Sequence, residues 1–223
     1  MRGDAGLTIT AQRTADLLHV LEDAFMARHP LRVRYAADEL IFQAGSYAAG
    51  VYLITNGIVQ ESYSGTSEQG VPTALLGPSS LIGGEALLLN DHRLHCVSCR
   101  AVSEVSLLFL ERTAFDPTAK DHDALHSVLA LNLVERGLAM TRALWRSRLD
   151  PPDRIRCLLH DLAFLGEETS AGRVGLPPEI NIQRVADLSF LSPCKVRQLR
   201  HALPGIEWDE TRWLLSPEPL DVA

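Results

Sequence analysis

The stretch LRVRYAADELIFQAGSYAAGVYLITNGIVQESY, residues 31–63, consists of brief apolar segments that alternate with polar residues and are separated by glycines. Alternation with a period of two is typical of strands that bury one face, and glycine permits tight turns. Because the same pattern continues to Phe115, we predict an antiparallel, jelly-roll-like β-roll over residues 30–117. The predicted strands are Leu31–Tyr35, Glu39–Phe42, Val51–Ile54, Ile58–Tyr63, Thr73–Leu76, Val97–Val102 and Val105–Leu110.

Helical spacing flanks the predicted roll on both sides. An N-terminal helix within residues 1–29 is predicted from one apolar stripe, formed by Leu17, Val20, Leu21, Ala24 and Phe25. From His122 to Arg148, apolar positions recur at steps of four and three, as in the seam of a two-stranded coiled coil. These positions are Leu131, Val134, Leu138, Thr141 and Trp145. We predict a dimerisation helix over residues 118–150, with the core helix of a monomer as the alternative.

Residues 151–223 have the pattern of a winged helix-turn-helix. The helix before them ends at Asp150-Pro151-Pro152, because proline disfavours helix at the residue before it. A helix Asp153–Leu165 is predicted next, and Gly166–Pro178 is polar and contains glycine and proline, which predicts a hinge. The fold class is therefore α+β, with an N-terminal β-roll, a long dimerisation helix and a C-terminal winged helix-turn-helix.

Two short helices and two strands make up the predicted winged motif. Asn181 caps a helix through Leu188, residues 189–191 form a turn, and Ser192 caps a second helix with Pro193 at its first position. The strands Ile206–Trp208 and Arg212–Leu215, joined by Asp209–Thr211, would form the wing.

The second helix of this motif has two different sides. Val196, Leu199 and Leu203 share one side, and the opposite side carries Cys194, Arg197, Gln198 and His201. The formal net charge of the chain is −7, so any contact with nucleic acid needs a local basic patch. Residues 182–200 supply one, with four basic residues and one acidic residue. The alternative is a pair of packed helices with solvated charges. The predicted DNA-binding residues are Gln183, Arg184, Ser192, Pro193, Cys194, Lys195, Arg197, Gln198 and His201.

From about residue 30 the chain resembles the Crp/Fnr family of bacterial transcription regulators. The residues that carry the resemblance are Ile41–Gly45, Gly50–Val59, Gly77-Pro78, Gly84-Glu85, Ile182–Leu188, Leu191-Ser192 and Val196-Arg197. The resemblance implies a homodimer without enzymatic activity that binds double-stranded DNA and an unknown small-molecule effector, with RNA polymerase as a further partner. Phe190 stands where the family commonly has glycine, and Pro193-Cys194 replace the usual polar start of the reader helix, so the family's target sequence does not carry over.

Residues 77–101 resemble the effector-binding cassette of this family. In relatives that bind cyclic nucleotides, a Gly-Glu pair opens a short helix and its glutamate accepts from a ribose hydroxyl. Gly84 and Glu85 match that pair, whereas His95 and Cys96 stand where an arginine pair would hold the phosphate. A neutral imidazole and a thiol are poor substitutes for a guanidinium, so ordinary cyclic AMP is not the expected effector. The predicted effector-binding residues are Gly84, Glu85, Arg93, His95, Cys96, Met140 and Thr141.

A haem-, metal- or redox-sensing regulator is an alternative, because imidazole and thiolate groups are ligands for zinc, iron and copper. The candidate ligands are His92, His95, Cys96 and Cys99. On a strand, His95 and Cys99 would point to one side and Cys96 to the other, so the four would not converge. We therefore predict no required cofactor. A sensor or protein-interaction module with a degenerate helix-turn-helix is a further alternative.

Length and composition limit the remaining possibilities. The 223 residues suffice for two modules, and the longest apolar runs fall short of the ~20 residues of a membrane span. The apolar residues 17–21 are flanked by acidic ones, unlike those of a signal peptide, so we expect a cytoplasmic protein. Four scattered cysteines are expected to be free thiols.

Overall fold

The computed structural model describes residues 23, 25–63, 70–88, 93–115 and 122–216. The chain divides into two compact units, here called the roll unit, residues 1–70 with 76–137, and the C-terminal unit, residues 71–75 with 138–223. Of the predicted N-terminal stripe, Leu17, Val20, Leu21 and Ala24 lie outside the described residues, whereas Phe25 is described and buried. Within the described part of the chain, no helix is long and apolar enough to cross a membrane.

Eight short strands occupy the region predicted as a roll. They are β1 (Leu31–Tyr35), β2 (Leu40–Phe42), β3 (Gly50–Asn56), β4 (Val59–Tyr63), β5 (Val71–Leu76), β6 (Leu81–Ile82), β7 (Val97–Ala101) and β8 (Val105–Glu111). Each predicted strand is confirmed, with ends that differ by at most two residues. Strand β6 was not predicted, because two residues are too few to show alternation with a period of two. A one-turn helix, α1 (Glu85–Leu88), follows β6.

The strands of the roll form two antiparallel sheets. The first has the order β1-β8-β3-β6, and in the second β7 pairs with both β2 and β4. Alternate side chains of the two sheets face each other and form one apolar core. This core contains Ile41, Phe42, Ile54, Val59, Ile82, Cys99, Ala101, Val105 and Leu107. The predicted antiparallel, jelly-roll-like architecture is confirmed.

The opposite face of the first sheet is buried as well. Val51, Leu53, Leu81, Leu108 and Leu110 point away from the roll interior and form a second core. Two residues outside the sheet, Phe25 and Leu129, complete this core. Leu129 belongs to α2 (His122–Arg146), so this helix packs on the sheet through its N-terminal part.

The C-terminal half of α2 exposes an apolar stripe. Val134 and Leu138 are 59% and 58% exposed, Trp145 is 49% exposed, and Thr141 is exposed between them. The side chain of Leu131 lies outside the described residues, as do positions 118–121 of the predicted range. The described seam residues are therefore largely exposed in the single chain, and dimerisation through this helix stays a prediction.

Between residues 151 and 216, the C-terminal unit contains three helices and one sheet. The helices are α3 (Pro151–Asp161), α4 (Ile182–Ser189) and α5 (Pro193–Leu199), and a 3₁₀ turn spans Ala163–Leu165. The remaining strands are β9 (Glu167–Glu168), β10 (Val174–Gly175), β11 (Ile206–Trp208) and β12 (Trp213–Leu215), in the order β11-β12-β10-β9. The predicted wing strands are confirmed, with β12 starting one residue later than expected.

The hinge predicted over Gly166–Pro178 is wrong. This segment is a hairpin whose strands β9 and β10 pair with each other, and β10 also pairs with the wing strand β12. Gly172, at φ 69°, lies in its turn, and Thr169 N donates to Arg173 O at 2.7 Å. Two-residue strands leave no alternating pattern, so the polar turn residues dominated the prediction.

Phe190 ends α4 in the left-handed conformation, at φ 55° and ψ 40°. This conformation costs a residue with a side chain about 1–2 kcal/mol, whereas glycine adopts it freely. The Phe190 ring is 58% exposed, so its removal sacrifices little buried area. We expect Phe190→Gly to raise the free energy of unfolding by about 1 kcal/mol, measured by urea titration with tryptophan fluorescence.

All three tryptophans, Trp145, Trp208 and Trp213, belong to the C-terminal unit, so their fluorescence reports the unfolding of the unit that is changed. Phe164, which is 61% exposed and has no positive φ, is the matched control. Phe164→Gly should lower the stability, and a Phe190→Gly variant less stable than wild type would contradict the expectation.

Candidate functional site

Helices α4 and α5 are held by the capping residues that the sequence predicts. The Asn181 side chain accepts from Arg184 N at 3.1 Å, and the Ser192 side chain accepts from Lys195 N at 3.2 Å. Pro193 opens α5, where its missing N–H removes no intrahelical hydrogen bond. The Ser189 hydroxyl donates to Val185 O at 2.6 Å and closes the end of α4. The predicted helix-turn-helix is therefore confirmed as a local structure.

One side of α5 packs on its own unit and the other is exposed. Val196 is fully buried, and the exposed side carries Cys194, Lys195, Arg197 and Gln198. The predicted helix continues to Leu203, but α5 ends at Leu199, because Pro204-Gly205 lies just downstream. His201 therefore lies beyond the helix, where its Nε2 accepts from Arg200 Nε at 2.9 Å.

The two predicted DNA-binding residues on α4 differ from those on α5. Gln183 is exposed, but its amide donates to Asp187 Oδ1 at 2.9 Å, one turn along the same helix. Arg184 is half-buried. The exposed cations of this motif therefore lie on α5, with Gln183 and Arg184 at its flank.

The wing turn is organised by one carboxylate. Asp209 accepts from Thr211 Oγ1 at 2.8 Å, from Arg212 N at 2.9 Å and from Thr211 N at 3.1 Å. These hydrogen bonds lower the pKa of Asp209 to about 2, and the bond from the Thr211 hydroxyl contributes most. Behind the turn, Trp208 and Trp213 meet edge to face with ring centroids 4.8 Å apart. The wing turn is thus held by its own hydrogen bonds, and the wing belongs to the same unit as α5.

Three buried polar side chains and one partly buried arginine belong to elements that surround the roll interior. We call Glu61 of β4, Glu85 of α1, His95 before β7 and Arg136 of α2 the roll-end cluster. Glu61 faces Cys99 across the β4–β7 pair, and Phe42 faces Cys99 from the other side, so these residues share the interior surface.

Arg136 and Glu61 form a buried ion pair between α2 and β4, with side chains 21% and 10% exposed. The second guanidinium nitrogen of Arg136 lies 3.5 Å from Leu81 O. Burial lowers the pKa of Arg136. The guanidinium is therefore removed from solvent and directed at the roll by a carboxylate of the protein itself.

Glu85 and His95 are close neighbours that do not satisfy each other. Glu85 Oε1 lies 3.9 Å from His95 Nδ1, which exceeds hydrogen-bond distance. Both Glu85 carboxylate oxygens and His95 Nδ1 are buried without a hydrogen-bond partner among the described residues. The imidazole stacks on Phe42 at 3.8 Å between ring centroids and an interplanar angle of 11°. Gly83 allows this position, because a Cβ there would lie 3.1 Å from His95 Cε1.

The structure brings together only part of the predicted effector set. Glu85 and His95 are buried. Gly84 precedes them where α2 packs on the roll, because Leu129 Cδ2 would be 2.9 Å from an added Cβ. The others are exposed: Arg93, Cys96, Met140 and Thr141.

Two members of the cluster, Glu61 and Arg136, were missed by sequence reasoning. Glu61 left a signal, since it has the same strand parity as the buried Val59 and thus a charge at an interior position. The sequence contains no such signal for Arg136, because an arginine on a long amphipathic helix is ordinarily solvated.

The three candidate metal ligands that the structure describes do not form a common site. His92 lies outside the described residues, His95 and Cys99 are buried, and Cys96 is exposed, in the alternation that the sequence predicts. In the part of the chain that the structure describes, no three His, Cys, Asp or Glu side chains are placed to hold a metal ion. Burial, together with the charge of Glu85, raises the pKa of Cys99 well above its usual value, so this sulfur stays a thiol.

Comparisons with known proteins agree with this architecture. Residues 32–122 match the family described as the cyclic nucleotide-binding domain. The c-di-GMP-responsive global regulator CLP of Xanthomonas campestris superposes with a TM-score of 0.72 at 20% identity, covering 90% of this chain and 99% of that one. A CRP/FNR-family transcriptional regulator from Thermus thermophilus gives 0.64 at 20% identity, covering 83% and 93%. FixK2 from Bradyrhizobium japonicum gives 0.69 at 16% identity, covering 85% and 93%. None of the curated protein sequences matches the chain.

The four cysteines should separate into two classes of reactivity. Cys96 and Cys194 are exposed, Cys99 and Cys157 are buried, and burial raises the pKa of both buried thiols. We expect iodoacetamide to label Cys96 and Cys194 in the native protein and all four after unfolding, as followed by mass spectrometry. A Cys96→Ser/Cys194→Ser variant is the control. Rapid native labelling of Cys99 would contradict this arrangement and would favour redox sensing inside the roll.

Proposed function

We propose that this chain, which has the fold of the Crp/Fnr transcriptional regulators and a cyclic nucleotide-binding domain at residues 32–122, is a sequence-specific DNA-binding transcription regulator. The observation that carries this proposal is the exposed polar side of α5, with Lys195, Arg197 and Gln198, in a capped helix-turn-helix of a unit that also contains a wing. A side of this kind is the part of the motif that enters a major groove.

The residues of α5 have the chemistry that groove recognition needs. Arginine pairs with the O6 and N7 acceptors of guanine, and glutamine pairs with adenine, so Arg197 and Gln198 carry base recognition. Lys195 and the flanking Arg184 contact phosphates, which position the helix without specifying sequence. Since the whole chain has a formal net charge of −7, attraction to DNA depends on this surface rather than on overall charge.

The regulator acts as a homodimer through α2. Val134, Leu138 and Trp145 recur with coiled-coil spacing and are about half exposed or more in the single chain. Exposed apolar stripes of this regularity mark association surfaces. Pairing of two copies along α2 gives two α5 helices, which suits half-sites separated by about one turn of DNA, roughly 34 Å.

Control comes from the roll, through α2. This helix contributes Leu129 to the outer core of the roll and Arg136 to the roll-end cluster, and further along it presents the seam. A small molecule that contacts the roll-end cluster changes which arrangement of α2 is favoured, and this shifts a population of DNA-binding states. CLP is described as responsive to c-di-GMP. For this chain the effector differs from ordinary cyclic AMP, and the exposed Arg93, Cys96, Met140 and Thr141 are secondary contacts for it.

Removal of two side chains tests base recognition. We expect Arg197→Ala/Gln198→Ala to weaken binding to the DNA upstream of the protein's own coding region by about tenfold or more, and to relax its selectivity. The measurement is fluorescence anisotropy at several salt concentrations, because phosphate contacts make binding salt-dependent. Arg32→Ala, which removes an exposed arginine of the roll, is the matched control. Unchanged binding by the double variant would favour an interaction module with a degenerate helix-turn-helix.

A charge placed in the seam tests dimerisation. Leu138→Glu should convert the protein from dimer to monomer in sedimentation equilibrium, because two buried carboxylates would face each other without partners. Ala139→Glu adds the same charge at the adjacent exposed position, off the seam, and should leave the dimer intact. A wild-type protein that sediments as a monomer would overturn the proposed dimer.

A further inference from the structure

The roll-end cluster has no cation available for an anionic ligand. It contains two carboxylates, Glu61 and Glu85, one guanidinium, Arg136, and the imidazole of His95. With a neutral imidazole the cluster carries one net negative charge, and with a protonated imidazole it carries none. In either state Arg136 is engaged by Glu61, so the one guanidinium of the cluster is already paired with a carboxylate.

Glu61 is a strong competitor for Arg136 because it belongs to the same chain. A ligand phosphate loses translational entropy when it associates, whereas the carboxylate of β4 is already in place. Displacement would also break the ion pair between Glu61 and Arg136, and breaking a largely buried ion pair is strongly unfavourable. The ion pair therefore excludes phosphate-bearing ligands by occupying the group that would hold them.

Glu85 favours a ligand that brings hydrogen-bond donors, in contrast to a phosphate. Both of its oxygens are buried and lack a hydrogen-bond partner among the described residues, and an ionised carboxylate only accepts hydrogen bonds. Its carboxylate lies 3.9 Å from His95, whose ring stacks on Phe42 of the interior core. The stacked rings of His95 and Phe42 lie beside it and offer an aromatic surface. A ligand that satisfies this group brings N–H or O–H donors, and most effectively a positive charge.

We propose that Glu61 sets the charge class of the effector: by holding Arg136 it makes the roll-end cluster a site for a cationic, hydrogen-bond-donating small molecule and excludes phosphate-bearing ones. The inference rests on the proposed function in so far as this ligand is the effector of the regulator. It names Glu61 as the residue that determines specificity and Glu85 as the residue that contacts the ligand.

Two probes with the same ring and opposite charge test the proposal. Benzylamine is cationic and phenyl phosphate is anionic at neutral pH, and both carry one aromatic ring. Isothermal titration calorimetry on the full chain should give the wild type an affinity for benzylamine at least about tenfold above that for phenyl phosphate. Glu85→Gln should lose the benzylamine affinity by a similar factor. Glu104→Gln, at an exposed glutamate of the roll, should behave as wild type.

The Glu61→Gln variant is the decisive test, because it should gain affinity for a phosphate-bearing probe. This change frees Arg136, so phenyl phosphate should bind at least about tenfold more tightly than to wild type. Glu61→Gln/Arg136→Gln should lose that gain and keep benzylamine binding through Glu85. Thermal unfolding of each variant shows that it is folded.

Three results would overturn the proposal. They are a wild type that prefers phenyl phosphate, a wild type that binds neither probe or binds both equally, and a folded Glu61→Gln variant that gains no affinity for phenyl phosphate. The wild-type comparison requires no substitution, so it decides even if a variant does not fold. DNA binding measured on the same preparations separates the two proposals, because intact DNA binding without a charge preference refutes only the inference about the effector.

Discussion

Burial of both faces of the sheet β1-β8-β3-β6 is the constraint on which the rest of the roll unit depends. One face joins the interior core and the other packs beneath Phe25 and Leu129. A shift of register by one residue would exchange the two sets of side chains, so double burial fixes the register firmly. It also fixes one position of α2, because Leu129 fits where Gly84 leaves no Cβ. The seam beyond that point is left exposed as a consequence of this anchoring.

The second anchor of α2 is electrostatic rather than apolar, and this difference matters for regulation. An apolar contact such as that of Leu129 responds weakly to a small change in its surroundings. The pair between Arg136 and Glu61 is buried, so its free energy depends on every charge nearby. Under the proposed function, a ligand that alters the charge around Glu85 would act on the helix that carries the seam without needing to touch the seam. Under the proposed function, this gives a physical route from the roll to the spacing of the α5 helices.

The features of this chain that the sequence predicted are those that repeat along it. Period-two alternation located the strands of the roll, and Asn181, Ser192 and Pro193 located α4 and α5 because capping is a local interaction. Strands β6, β9 and β10 have two residues each and leave no pattern. Two of the four residues of the roll-end cluster were predicted. Glu85 and His95 lie in one cassette, whereas Glu61 and Arg136 meet only through the tertiary fold. Long-range ion pairs have no local signature, which is why the occupied guanidinium was invisible in the sequence.

The start of α5 shows how a departure from a family pattern can redirect recognition. Ser192 uses its side chain to cap the helix and Pro193 has no N–H to donate, so the first turn serves mainly to begin the helix. Cys194 is exposed there but is neither charged like arginine nor a planar amide like glutamine. Under the proposed function, base recognition must therefore come from the following turn, where Arg197 and Gln198 are exposed. A reader helix that engages bases one turn later presents different donors to the groove, so its target sequence follows from Arg197 and Gln198 rather than from the family.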